Sequence, residues 1–140
     1  MQIHATCVAR DGIGVILLGP PGSGKSDLAL RLLDRGFELV ADDRVEIVDG
    51  MARPPAHLAG LIEVRGLGLL RLPHAPPARI ALAVVLGADM PRLPQPRRYD
   101  ILDVPMIMLD PRPASAAQRV ELALDCLLGR VAQHRGAFTA

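Results

Sequence analysis

Residues 19–26 read Gly19-Pro20-Pro21-Gly22-Ser23-Gly24-Lys25-Ser26 and fill every fixed position of G-x-x-x-x-G-K-[ST]. Such a stretch constrains the fold as well as the chemistry. It works where a strand feeds the glycine loop and a helix starts directly after it, because the loop amides and the positive end of the helix dipole together cradle phosphate oxygens. The flanking residues meet that condition. The apolar run 13–18 reads as a strand, and beyond Lys25 the residues Leu28, Ala29, Leu30, Leu32 and Leu33 follow helical spacing until Gly36, a natural stop. Lys25 is the only lysine among sixteen basic residues, the others being arginine. An ammonium is a compact point charge that can reach outer phosphates, where a planar guanidinium would neither fit nor turn.

The remaining pattern alternates short strands with turns. Residues 2–9 and 13–18 flank Asp11-Gly12, a hairpin signal, so the loop is fed by the second arm of a hairpin. Strands are predicted over 37–41, 45–48, 67–72, 79–86 and 104–109, with a turn at Asp49-Gly50, a proline-rich connector at 54–55 and a Pro/Arg loop over 87–98. A helix is predicted over 115–129, and the small, polar tail from about 132 is expected to be disordered. At 140 residues, half of them hydrophobic, the chain is expected to form one domain, 1–140. The implied class is α/β, a P-loop nucleotide-binding fold with a mixed sheet.

Composition removes several function classes. Net charge is +1 and the arginines are scattered, so no basic stripe argues for nucleic acid. No apolar run approaches the ~18 residues of a membrane span. Cys7 and Cys126 stand apart without metal-ligand spacing, and no charged start leads into an apolar signal segment, which points to the cytoplasm.

Asp42-Asp43 ends an apolar strand one helix crossover after the loop, where nucleotide-binding folds place the carboxylate that handles magnesium or the attacking group. Asp pairs at strand ends are also common turn formers. On a strand, adjacent carboxylates face opposite ways, so separate roles are expected and one alone would meet a nucleophile. Residues 61–69 set Glu63 and Arg65 among apolar residues with Gly66 and Gly68, read either as backbone brought close to a ligand or as a hairpin carrying an exposed ion pair. Of four histidines, His4 lies on the strand before the loop strand, while His57, His74 and His134 fall in loop or tail positions.

His4, Gly12-x-Gly14, the loop 19–26, Leu39-Val40-Ala41-Asp42-Asp43-Arg44-Val45-Glu46-Ile47 and Leu61-Ile62-Glu63-Val64-Arg65-Gly66-Leu67-Gly68 occur in the order of one known family. Through about residue 72 the chain resembles the catalytic domain of HPr kinase/phosphorylase. The resemblance implies a fold similar to that of phosphoenolpyruvate carboxykinase and an enzyme that uses ATP to phosphorylate a serine of the phosphocarrier HPr. It also implies the reverse step, in which inorganic phosphate removes that group and pyrophosphate is released. By position it implies nucleotide binding by Gly19, Pro20, Pro21, Gly22, Ser23, Gly24, Lys25, Ser26 and Asp27, with Lys25 on the β- and γ-phosphates. Ser26 and Glu63 would hold Mg2+, Asp43 would be the acid/base with Asp42 in support, and His4 and Arg65 would complete the site. Asp27 stands where the family usually has glutamate. Beyond residue 72 the likeness thins: Arg98 answers to a catalytic arginine, and Asp110-Pro111-Arg112-Pro113 resembles a segment tied to dephosphorylation, with Ala114-Ser115 in place of its Gly-Arg. Homo-oligomeric assembly is implied as well, and the chain reads as a minimal catalytic version lacking the regulatory domain of longer members. A small-molecule kinase and a nucleotide- or phosphate-sensing module on the same core remain the alternatives.

Overall fold

The strand, glycine loop and helix form where the spacing predicts them: β3 (Ile13–Leu18) ends at the loop and α1 (Lys25–Leu33) begins on its lysine. A computed structural model describes residues 1–139. Ahead of β3 lie β1 (Gln2–His4) and β2 (Thr6–Arg10), and after α1 come β4 (Glu38–Ala41), β5 (Arg44–Val48) and β6 (Met51–Arg53). A 3-10 turn over Ala56–Leu58 leads to the hairpin of β7 (Leu61–Val64) and β8 (Gly68–Arg71). The chain closes with β9 (Ala78–Leu86), β10 (Arg97–Tyr99), β11 (Val104–Leu109) and α2 (Ala116–Leu127). No helix among the described residues is long and apolar enough to cross a membrane.

The single strand predicted over 2–9 is broken at Ala5, because its halves take different partners. β1 pairs with β5, and β2 pairs with β3 and β4. The sheet order is β1-β5-β6-β9-β3-β2-β4, with β11 parallel to β9 and β10 antiparallel to β11. β1 and β2 are successive stretches of chain, so this path returns on itself and the sheet curls tightly. Small residues fill its inside, Ala5, Ala9, Ala41, Ala52, Ala75, Ala78 and Ala83 sitting with Cys7, Ile16, Val40, Val45 and Ile47. The outer face carries Val8, Val15, Leu17, Leu82 and Val84 against Leu28 and Leu32 of α1 and Val120 and Leu124 of α2. Each large side chain buried there contributes about 1.5–3 kcal/mol of transfer free energy. The register slip between Gly14 and Val15 leaves Ala81 of β9 bulged, which turns Ile80 inward and Leu82 toward the helices.

β3, β9 and β11 run parallel while the other pairings are antiparallel, so the sheet is mixed, as the hairpin ahead of the loop requires. Residues 132–139, expected to be disordered, fold back instead. Gly136 and Thr139 bridge, Gln133 Oε1 accepts the Phe138 N–H at 2.8 Å, and Phe138 packs on the helix-side core. One aromatic ring is enough apolar area to hold so short a tail.

Candidate active site

The glycine loop is held by its own atoms. Lys25 Nζ donates to the carbonyls of Gly19 at 2.7 Å and Pro20 at 3.1 Å, closing the loop from inside. A methyl group on Gly19 would come within 2.5 Å of Ser23 Oγ, and Gly24, the residue before α1, has a φ of 99° that favours glycine. No side chain caps α1, so its first-turn amides stay available to an anion. Ser23 Oγ is buried with no hydrogen-bond partner.

Asp42 is the hub below the loop. Only 8% exposed, its carboxylate accepts hydrogen bonds from Thr6 Oγ1 at 2.8 Å, Ser26 Oγ at 2.7 Å and the Glu63 backbone N–H at 3.2 Å. It therefore ties β2, α1 and β7 to the end of β4. Thr6, fully buried, is the residue that sequence reasoning missed. Its one signal was a hydroxyl inside an otherwise apolar strand.

Asp43 has the opposite surroundings. The Arg44 N–H donates to the Asp42 carbonyl at 2.8 Å, closing a three-residue γ-turn centred on Asp43, whose φ is 70°. This is the rarer, strained form of that turn, and a non-glycine residue there costs on the order of 1–3 kcal/mol. The turn lifts Asp43 off the strand into an exposed position and lets the Ala5 N–H donate to its carbonyl at 3.2 Å. The two carboxylates thus differ in their surroundings because of a turn, and not through the alternation of a regular strand.

A cleft of about 450 Å³ opens over the loop, lined by Thr6, Pro21, Gly22, Gly24, Lys25, Ser26, Asp27, Leu30, Asp43, Glu63, Val64 and Arg65. Residues from β2, the loop, α1, the γ-turn and the β7–β8 hairpin converge there. Gly66 and Gly68 shape that hairpin, both with positive φ, and no protein atom lies within 4 Å of where their Cβ atoms would be. Glu63 and Arg65, both exposed, line the cleft and make no ion pair with each other. His4 lies outside the cleft lining, exposed at the end of β1 opposite Arg44 and next to the Ala5–Asp43 contact.

Arg98 is not brought to the cleft. It sits on β10 opposite Pro105, with its guanidinium on Asp103, 3.0 Å to Oδ1 and 2.6 Å to the carbonyl. β11 runs parallel to β3 and β9, so its Leu109 end approaches the loop, and Pro105 lies four residues, roughly 13 Å, back along it. Among the described residues no group of three or more His, Cys, Asp or Glu side chains is placed to hold a metal. The donor set nevertheless fits one held largely by phosphate and water. Ser26 gives its proton to Asp42, leaving its oxygen lone pairs for a cation in the cleft, and Glu63 is an exposed carboxylate beside it.

A curled mixed sheet whose central parallel strand delivers a G-x-x-x-x-G-K-S loop to a helix, with carboxylates gathered opposite, defines an α/β protein of the P-loop class. The family model described as HPr Serine kinase C-terminal domain matches residues 1–75, and the chain belongs to that family. It is 43% identical over 76 residues to the HPr kinase/phosphorylase of Clostridium novyi, a stretch covering 51% of this chain and 25% of that protein. For the HPr kinase/phosphorylase of Xylella fastidiosa the figures are 46% over 79 residues, 51% and 24%. The match thus spans about a quarter of the length of these relatives. The solved structure of the Hpr(Ser) kinase/phosphatase from Coxiella burnetii superposes with a TM-score of 0.73 at 26% identity, covering 93% of this chain and 89% of that one. The family model ends at residue 75, while the shared fold extends over 93% of the chain.

Proposed function

We propose that the protein is an ATP-dependent serine kinase acting on HPr or a related phosphocarrier. The observation that carries this reading is the division of labour at Asp42-Asp43 in a member of this family. Asp42 is consumed by three hydrogen bonds, whereas Asp43 stands exposed at the cleft beside Lys25 and Ser26. When bound, ATP supplies the transferable phosphoryl group and Mg2+ offsets the charge that develops on it.

The chain's own residues do the rest. The loop amides and the free N–H groups of α1 bind the phosphate chain, and Lys25 exchanges the Gly19 and Pro20 carbonyls for phosphate oxygens. Ser26 and Glu63 would hold the metal, with the Asp42 carboxylate orienting the Ser26 hydroxyl and, by accepting the Glu63 backbone N–H, fixing β7. Asp43 accepts the proton of the attacking serine hydroxyl at its carboxylate. Arg65, on the cleft wall, adds positive charge where the acceptor enters, and His4 flanks Asp43 from the rim. The experiment is incubation with labelled ATP, magnesium and purified HPr-type proteins, followed by mapping of the labelled residue. Label on one carrier serine is the expected result. Transfer to a small molecule instead, or nucleotide binding with no transfer to any acceptor, would overturn it.

A further inference from the structure

Arg31 is not among the cleft-lining residues, yet it is the residue through which α1 holds the segment 110–115 that leads from β11 to α2. Its Nη2 donates to the Pro111 carbonyl at 2.7 Å and lies 3.1 Å from Asp27 Oδ2, one turn earlier on α1; Nη1 donates to the Pro113 carbonyl at 3.4 Å. Prolines have no N–H, so a segment with prolines at 111 and 113 has little backbone bonding of its own to fix its place. A planar guanidinium can serve two carbonyls and a carboxylate at once, which an ammonium on a flexible stem does poorly.

The held segment touches the phosphate loop. A methyl group on Gly24 would lie 3.5 Å from Pro111 Cγ, so the proline ring packs against the last loop residue before α1. The segment is braced internally as well: the Asp110 carboxylate accepts from the Arg112 backbone N–H at 3.0 Å and from its guanidinium at 2.9 Å. That pairing holds the Asp110 carboxyl below its usual range. A stiff strap is therefore clamped against Gly24.

We propose that Arg31 is a positioning residue, which fixes the 110–115 strap against Gly24 and so keeps the phosphate loop in the shape that takes a nucleotide's phosphates. The inference rests on the nucleotide-binding reading of the cleft. Arg31 touches none of the groups that carry out transfer, so its loss acts on nucleotide affinity and leaves the chemical step alone.

The test compares wild type, Arg31→Ala, Arg31→Lys and Asp27→Ala in the full chain. Amide hydrogen exchange of a peptide covering 109–116, measured without nucleotide, is expected to quicken at least tenfold in Arg31→Ala, as follows from losing charged hydrogen bonds. It should quicken less in Arg31→Lys and stay unchanged in Asp27→Ala, where both carbonyl contacts survive. The dissociation constant of ATP with magnesium, read by calorimetry, should rise about tenfold in Arg31→Ala with kcat within about twofold of wild type. Unchanged exchange in Arg31→Ala overturns the tether. Faster exchange with unchanged ATP affinity overturns its purpose, and so does a fall in kcat at unchanged affinity. If wild type binds no ATP, the nucleotide reading fails and this use of the strap with it; the exchange measurement, which needs no nucleotide, still tells whether the tether exists.

Discussion

Two aspartates one peptide bond apart show how far surroundings separate identical side chains. Asp42 is buried and spends its oxygens on Thr6, Ser26 and the Glu63 amide, while Asp43 is exposed on a strained γ-turn. Asp42→Asn can keep one oxygen on the Thr6 and Ser26 hydroxyls but then sets its amide NH2 against the Glu63 N–H, and should cost about 1–3 kcal/mol, a melting temperature lower by roughly 3–10 °C. A thermal scan matching wild type would contradict the hub. Asp43→Asn should melt like wild type but lose at least ~10²-fold in kcat with little change in the KM for ATP, since the proton is taken mainly in the transition state. Asp43→Gly relaxes the backbone and should be as stable as wild type or more so while equally inactive. Lys25→Ala and Lys25→Arg should both drop transfer by at least ~10²-fold, and an active Lys25→Arg protein would contradict the point-charge account.

Among the elements, the join between β2 and α2 is secured by an ion pair that is largely covered. Arg10 meets Asp125 with both side chains largely covered, and its guanidinium lies 5.4 Å from the centre of the Phe37 ring. Asp125 also sits 4.0 Å from Arg130. Exposed pairs contribute about 0–1 kcal/mol, and breaking a fully buried one costs about 3–5. Arg10→Ala should fall between, near 2 kcal/mol, lowering the urea midpoint with the slope unchanged. A change within error would mean that the apolar contacts of Val120 and Leu124 alone hold α2 in place.

At the scale of the molecule, the curled sheet seals its inside from water. Burial pushes the Cys7 thiol up to about 12, against about 9 for an open thiol. The folded state keeps that proton where the unfolded chain would lose it, so the contribution is whole below about pH 9 and is lost as pH rises from about 9 to 12. Native protein should expose one reactive thiol, Cys126, and denatured protein two; stability should fall more steeply above pH 9 in wild type than in Cys7→Ala. Two native reactive thiols would mean that the sheet opens. The segment after Pro113 carries Ala114-Ser115 where the family pattern has Gly-Arg, removing a positive group that would offset repulsion between two phosphoryl anions. Serine-phosphorylated carrier given millimolar phosphate and magnesium should release pyrophosphate far more slowly than the forward reaction runs, and equal rates would contradict this.

The loop, its feeding strand and the helix after it were legible in the sequence because each is a local matter of glycine freedom, apolar spacing and one lysine. The strand over 104–109 was legible for the same reason, its run of apolar residues standing between turn signals. What only the tertiary structure decided lies where distant segments meet. The break at Ala5, the γ-turn at Asp43 and the buried Thr6–Asp42–Ser26 cluster exist because β1 and β2 take partners on different strands, and pairing over that distance leaves no period in the chain. The placement of Arg98 on Asp103, the packing of Phe138 and the hold of Arg31 on Pro111 were likewise settled by strand order and helix docking. Residue spacing reports which face a side chain takes on its own element; which element it meets depends on how the whole sheet curls.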